Sequence, residues 1–104
     1  MMEISFVGLE PSDALREYAQ RKVSALEHLD HLLTSRVVIE ANRHSRTGEH
    51  FRVKFELGVR GSTLVTGALG PQYADPYAAI DATYDEAKRV LHERSDRRHD
   101  RRRA

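Results

Sequence analysis

The chain has 104 residues, 17 Lys and Arg against 16 Asp and Glu, and a formal net charge of +1. This length sets one domain with one core, and the absence of cysteine excludes disulfides, thiolate metal sites and cysteine nucleophiles. No run approaches the roughly 20 apolar residues that span a bilayer, and Met1-Met2-Glu3 lacks the regions of a secretory signal, so the sequence reads as cytoplasmic, with no membrane partner.

Residues 3–8 alternate Ile4 and Phe6 against Glu3 and Ser5, which predicts a short strand ending at Gly8. Pro11-Ser12-Asp13 follows as a helix start, with Ser12 as the cap and Asp13 at the positive end of the helix dipole. Leu15, Ala19, Val23 and Leu26 recur at helical spacing and predict an amphipathic helix of about 17 residues. Residues 29–35 connect it to a second strand over 36–41, where Val37, Ile39 and Ala41 share a face. Residues 42–49 are polar, without period, and read as a hairpin loop. Over residues 50–60, Phe51, Val53, Phe55, Leu57 and Val59 alternate strictly with polar residues and glycine, the pattern of a long strand with one wet face. Gly61-Ser62 turns the chain into a fourth strand over 63–68, and a loop follows through residues 70–74. Asp75-Pro76 starts a second helix. Its face of Tyr77, Ile80, Tyr84, Ala87 and Leu91 carries it to about Arg94. Residues 95–104 hold almost nothing but charge and are expected to fray or stay disordered.

The order is β-α-β-β-β-α, an α+β class. Neither helix buries its stripe alone, so the expected fold is a four-stranded sheet with two helices packed on one face. Residues 1–94 form the domain and 95–104 a basic tail. The other sheet face carries Arg52, Lys54 and Glu56 into solvent.

Signatures of catalysis are missing: there is no nucleophile elbow, no phosphate-cradling glycine loop and no His-Glu-x-x-His helix. His28 and His31, with Asp30 between them, read as surface groups and not as a metal site. Asp81 and Asp85 read as solvent-face charges, Asp85 supporting Arg89 four residues on. Gly58-Val59-Arg60-Gly61 has the spacing of a K-homology clamp loop but joins two strands, so it reads as a hairpin turn. No enzyme activity, cofactor, metal or small-molecule substrate is expected.

Charge by segment is more informative than the total. Residues 88–104 hold 8 Lys and Arg against 3 Asp and Glu, a net +5, while the other 87 residues hold 9 against 13, a net −4. Such asymmetry marks nucleic-acid or acidic-surface partners. The basic residues fall into three sets: Arg21 and Lys22 on the first helix, Arg43, His44 and Arg46 in the first long loop, and Lys88, Arg89 and Arg94 on the last helix before the arginine tail. Arginine pairs bidentately with phosphate, and each neutralised phosphate releases counterions. Double-stranded RNA is read by shape, phosphates and 2′-hydroxyls, which needs basic groups on a rigid scaffold and no stacking platform. The wet sheet face lacks the exposed aromatic pair of an RRM.

The strand before Gly8, the run Ala14-Leu15-Arg16-Glu17-Tyr18 leading to Lys22, and the run Tyr77-Ala78-Ala79-Ile80-Asp81 after Asp75-Pro76 resemble the ribosome hibernation-promoting factor and ribosome-associated inhibitor family. The resemblance covers about residues 3–94. It implies a fold similar to double-stranded-RNA-binding domains. It also implies binding to the small ribosomal subunit in the channel of messenger and transfer RNA, which stores ribosomes in an inactive state. By matching position it carries over Arg16, Lys22 and Arg89 as contacts to ribosomal RNA, with Lys88 and the tail beside them. Ala25 and Glu86 stand where family members usually carry lysine. Long-form members continue into a dimerisation domain, and this chain by itself is not expected to pair ribosomes by that route. The rival readings are a generic structured-RNA-binding module and a protein-interaction regulator.

Overall fold

The computed structural model has β1 (Met2–Val7), α1 (Asp13–Leu26), β2 (Thr34–His44), β3 (Gly48–Val59), β4 (Ser62–Thr66) and α2 (Pro76–Arg103) in chain order. Residues 2–44, 48–68 and 70–103 are described, His44 and 98–103 by backbone only. The strands form one sheet in the order β1-β2-β3-β4. β1 runs parallel to β2, from Met2 opposite Ser35 to Val7 opposite Glu40. A tight turn cannot join parallel neighbours, and α1 makes the crossover between them. β2 with β3 and β3 with β4 are antiparallel.

Alternation decides which side of the sheet is covered. Val37, Ile39, Val53, Phe55, Leu57 and Val59 point one way and are buried. Against them pack Leu15, Ala19, Val23 and Leu26 of α1 and Ala79, Ile80, Ala87 and Leu91 of α2. Both helices therefore lie on one face, as the sequence predicts. Each buried Leu, Ile, Val or Phe contributes about 1.5–3 kcal/mol. The other face carries an ion-pair ladder: Arg36 reaches Glu3 at 3.3 Å and Glu56 at 3.7 Å, and Lys54 meets Glu56 at 3.1 Å.

Caps and turns follow local chemistry. Ser12 Oγ accepts from the Leu15 N–H at 3.2 Å, and Asp75 Oδ1 accepts from the Tyr77 N–H at 2.9 Å. β4 ends at Thr66 opposite Phe55, so no strand reaches the Val53 carbonyl beyond it. The Thr83 hydroxyl fills that gap, 2.9 Å from Val53 O and 2.9 Å from Ala79 O. Gly67 leaves the strand at φ +86°, and a Cβ there would stand 2.1 Å from Val53 O. The chain then loops out and returns at Tyr73, which exchanges two backbone hydrogen bonds with Phe51.

Several boundaries differ from the sequence reading: β2 starts at Thr34 and not Arg36, and β4 ends at Thr66 and not Ala68. α1 has 14 residues and stops at Leu26, its last buried position. The β2–β3 ladder extends to His44 opposite Gly48, so most of the expected loop over 42–49 is strand. Backbone pairing continues there after the apolar alternation has ended, because ladder hydrogen bonds do not need buried side chains. α2 runs to Arg103 and not to about Arg94. Its apolar stripe ends at Leu91, but residues 77–103 contain no glycine or proline to break it. Among the described residues, no helix is long and apolar enough to cross a membrane.

Candidate nucleic-acid interface

The helix layer holds most of the expected basic residues, and contacts between the helices set its geometry. Tyr18 meets Tyr77 and Asp81, Lys22 meets Asp81 and Tyr84, and Asp30 meets Arg94. Partners advance along both chains together, so the helices run parallel. Their N-termini share one end of the sheet and their C-terminal halves the other.

Lys22 sits at the centre of this seam. Its ammonium is 3.3 Å from Asp81 Oδ1, 4.7 Å from the centre of the Tyr84 ring and 5.4 Å from that of Tyr18. Asp81 also accepts a short hydrogen bond from the Tyr18 hydroxyl, and the Tyr18 and Tyr77 rings meet edge to face at 5.1 Å. Desolvation pulls the Lys22 pKa down, but the Asp81 hydrogen bond and charge, with the two tyrosines, outweigh it and raise it. The Tyr18 pKa is raised mainly by its hydrogen bond to Asp81, then by desolvation. Asp81 is therefore no free solvent-face charge, as the sequence reading held; it joins the helices. Tyr18 and Lys22 on one helix and Tyr77, Asp81 and Tyr84 on the other stand at three- and four-residue spacing. Those matched polar stripes were the available signal.

The remaining basic residues are spread along the layer. The Arg16 guanidinium lies 5.4 Å from the Phe6 ring centre, at the N-terminal end of the helices. Arg21 is exposed on the outer side of α1, which it shares with Glu17, Gln20, Ser24 and His28 around an open groove. Lys88 and Arg89 are exposed on α2. Arg89 pairs with Glu93 at 3.2 Å, where Asp85 was the expected partner; both stand one turn away. Arg43 is exposed near the end of β2, opposite Glu49; Arg46 lies outside the described residues. Arg94 is engaged within the body. It pairs with the nearly buried Asp30 at 3.3 Å and donates to the Arg60 carbonyl at 2.7 Å. Asp30 also accepts from the His31 N–H at 2.8 Å, so its carboxylate orders this corner. Among the described residues Arg21, Lys88, Arg89 and, farther along α2, Arg97 are thus exposed helix cations, and Lys22 is half-buried.

The family profile described as sigma 54 modulation protein / S30EA ribosomal protein matches residues 2–99. The chain belongs to this family. A relative described as a ribosome hibernation promoting factor, from Azotobacter vinelandii, is 31% identical over 93 residues, covering 86% of this chain and 79% of the relative. Two solved structures share the fold. The N-terminal domain of Protein Y from Thermus thermophilus aligns at a TM-score of 0.69 with 22% identity, over 88% of this chain and 93% of that one. A ribosomal subunit interface protein from Coxiella burnetii aligns at 0.72 with 19% identity, over 92% and 99%. The structure places both residues that stand where the resemblance leads lysine to be expected. Ala25 lies on the exposed side of α1. Glu86 accepts from the Gly67 N–H at 3.2 Å, tying α2 to the loop after β4.

Proposed function

We propose that this protein binds the small ribosomal subunit in the channel of messenger and transfer RNA, through ribosomal RNA phosphates, and so holds ribosomes inactive in the cytoplasm under stress or in stationary phase. The observation that carries the reading is the family match over residues 2–99, in which a curated relative is described as a hibernation factor. The geometry suits it. A sheet with two helices on one face is a rigid body, and Arg21, Lys22, Lys88 and Arg89 give its helix layer phosphate-pairing groups. Residues 1–94 supply the binding body and 95–104 a basic extension. Occlusion needs binding alone, so no residue has a bond-making role and no cofactor is required.

Co-sedimentation with purified small subunits on a gradient tests the reading. The protein is expected in the subunit fractions at moderate salt, and its presence only at the top of the gradient would refute it. Replacing Lys88 and Arg89 with alanine should weaken binding and lower the log–log salt slope by about one for each phosphate no longer neutralised. Equal affinity for an arbitrary RNA duplex would make it a general structured-RNA binder instead.

A further inference from the structure

Ile80, Thr83, Ala87 and Leu91 form the buried stripe of α2 at three- and four-residue spacing. The same spacing continues through Arg94, Arg98 and Arg101, and the backbone stays helical to Arg103. At 3.6 residues per turn these positions share one arc, with Arg97 and Arg102 at its margins. The acids past Leu91 are Glu93, Asp96 and Asp100, again at three- and four-residue spacing, on another arc. The helix is therefore amphipathic along its whole length. Its inner arc is apolar over the sheet and cationic beyond it, and its acids lie on the opposite arc, which Arg103 shares.

The changeover falls at Arg94, which is held by Asp30 and by the Arg60 carbonyl at the turn between β3 and β4. Those contacts tie α2 to the turn after α1 and to the sheet at the point where its apolar stripe has run out. They set the direction of the rest. Nine residues at 1.5 Å each give an extension of about 14 Å.

We propose that α2 beyond Arg94 is an RNA-binding arm with one working side, on which Arg97, Arg98, Arg101 and Arg102 take a phosphate backbone. This rests on the ribosomal reading above and names the part of the chain that supplies charge to an otherwise acidic body. The arginine arc has no apolar residue for a hydrophobic partner. The guanidinium fork matches phosphate oxygens, and Glu93, Asp96 and Asp100 disfavour phosphate on the other side.

A charge exchange tests the arm. Asp96→Arg with Arg97→Asp, and Asp100→Arg with Arg101→Asp, keep composition and net charge but mix the arcs. Full-length wild type and variant are compared for binding to small subunits and to a plain RNA duplex across a salt series, with circular dichroism confirming equal helix content. The variant is expected to bind both RNAs about tenfold more weakly near physiological salt, with a log–log slope lower by about two. Equal affinity and slope would overturn the proposal, because net charge alone would then explain binding. If the variant loses duplex affinity while wild type never sediments with subunits, the arm stands and the ribosomal reading fails.

Discussion

Lys22 is a positive charge with local partners, and that changes what its substitution will do. Asp81 and two tyrosine rings hold its ammonium, so Lys22→Ala would loosen the helix seam as well as remove a proposed phosphate-pairing group. The same network has an alkaline signature. Tyr18 and Lys22 both have folded pKa values above their ordinary 10.0 and 10.5. A raised folded pKa gives stability that is complete below the unfolded value and is lost as pH rises through the folded one. The seam therefore weakens only above about pH 10, and neutral stability does not vary through these two groups. In Asp81→Asn, tyrosinate absorbance attributed to Tyr18 should appear at lower pH than in wild type; an unmoved titration would show that Asp81 does not hold the hydroxyl. Gly67 makes a separate case. Its φ of +86° and its approach to Val53 O leave no room for a side chain. Gly67→Ala should cost about 2 kcal/mol or more in denaturant melts, whereas Gly61→Ala, at φ +80° but with open space around its Cβ, should cost less.

Elements were legible in the sequence where burial writes a period. β3 is plain because Val53, Phe55, Leu57 and Val59 alternate into a covered face, and both helix starts are plain because Ser12 and Asp75 cap them. Ends were less legible. The β2–β3 ladder outlasts its apolar residues, and α2 outlasts its stripe, because backbone hydrogen bonds continue where nothing breaks them. Interactions between distant elements were the least legible: matched polar stripes hint at the helix seam, and nothing hints at the tie beyond it. Asp30 and Arg94 are 64 positions apart in the chain and meet at 3.3 Å only because the helices run parallel. That pairing makes Arg94 a tie between elements as well as one of the expected phosphate contacts. Arg94→Ala should cost about 1–3 kcal/mol, less than a fully buried pair because the Arg94 side chain is 26% exposed. It should also speed amide exchange in the last turns of α2. Unchanged stability and exchange would mean the tie carries no weight.

Across the whole molecule, stability and charge reside in different places. Every buried apolar residue of the described core lies at or before Leu91, while the net positive charge is concentrated after it. Residues 95–104 hold 5 arginines and 2 aspartates, so ending the chain at Arg94 moves the net charge from +1 to −2. The truncation removes nothing from the core and keeps the Arg94 contacts with Asp30 and Arg60, so its melting temperature should stay within a few degrees of wild type. Ribosome binding should respond differently. An acidic body has less long-range attraction to a polyanion, and without the arm's arginines fewer phosphates are neutralised and fewer counterions released. Its affinity for small subunits should fall most at low salt, and the log–log slope should be shallower by about one for each arginine that no longer pairs with phosphate. A truncated chain that melts normally but keeps full affinity and slope would place the whole interface on the basic residues within 1–94.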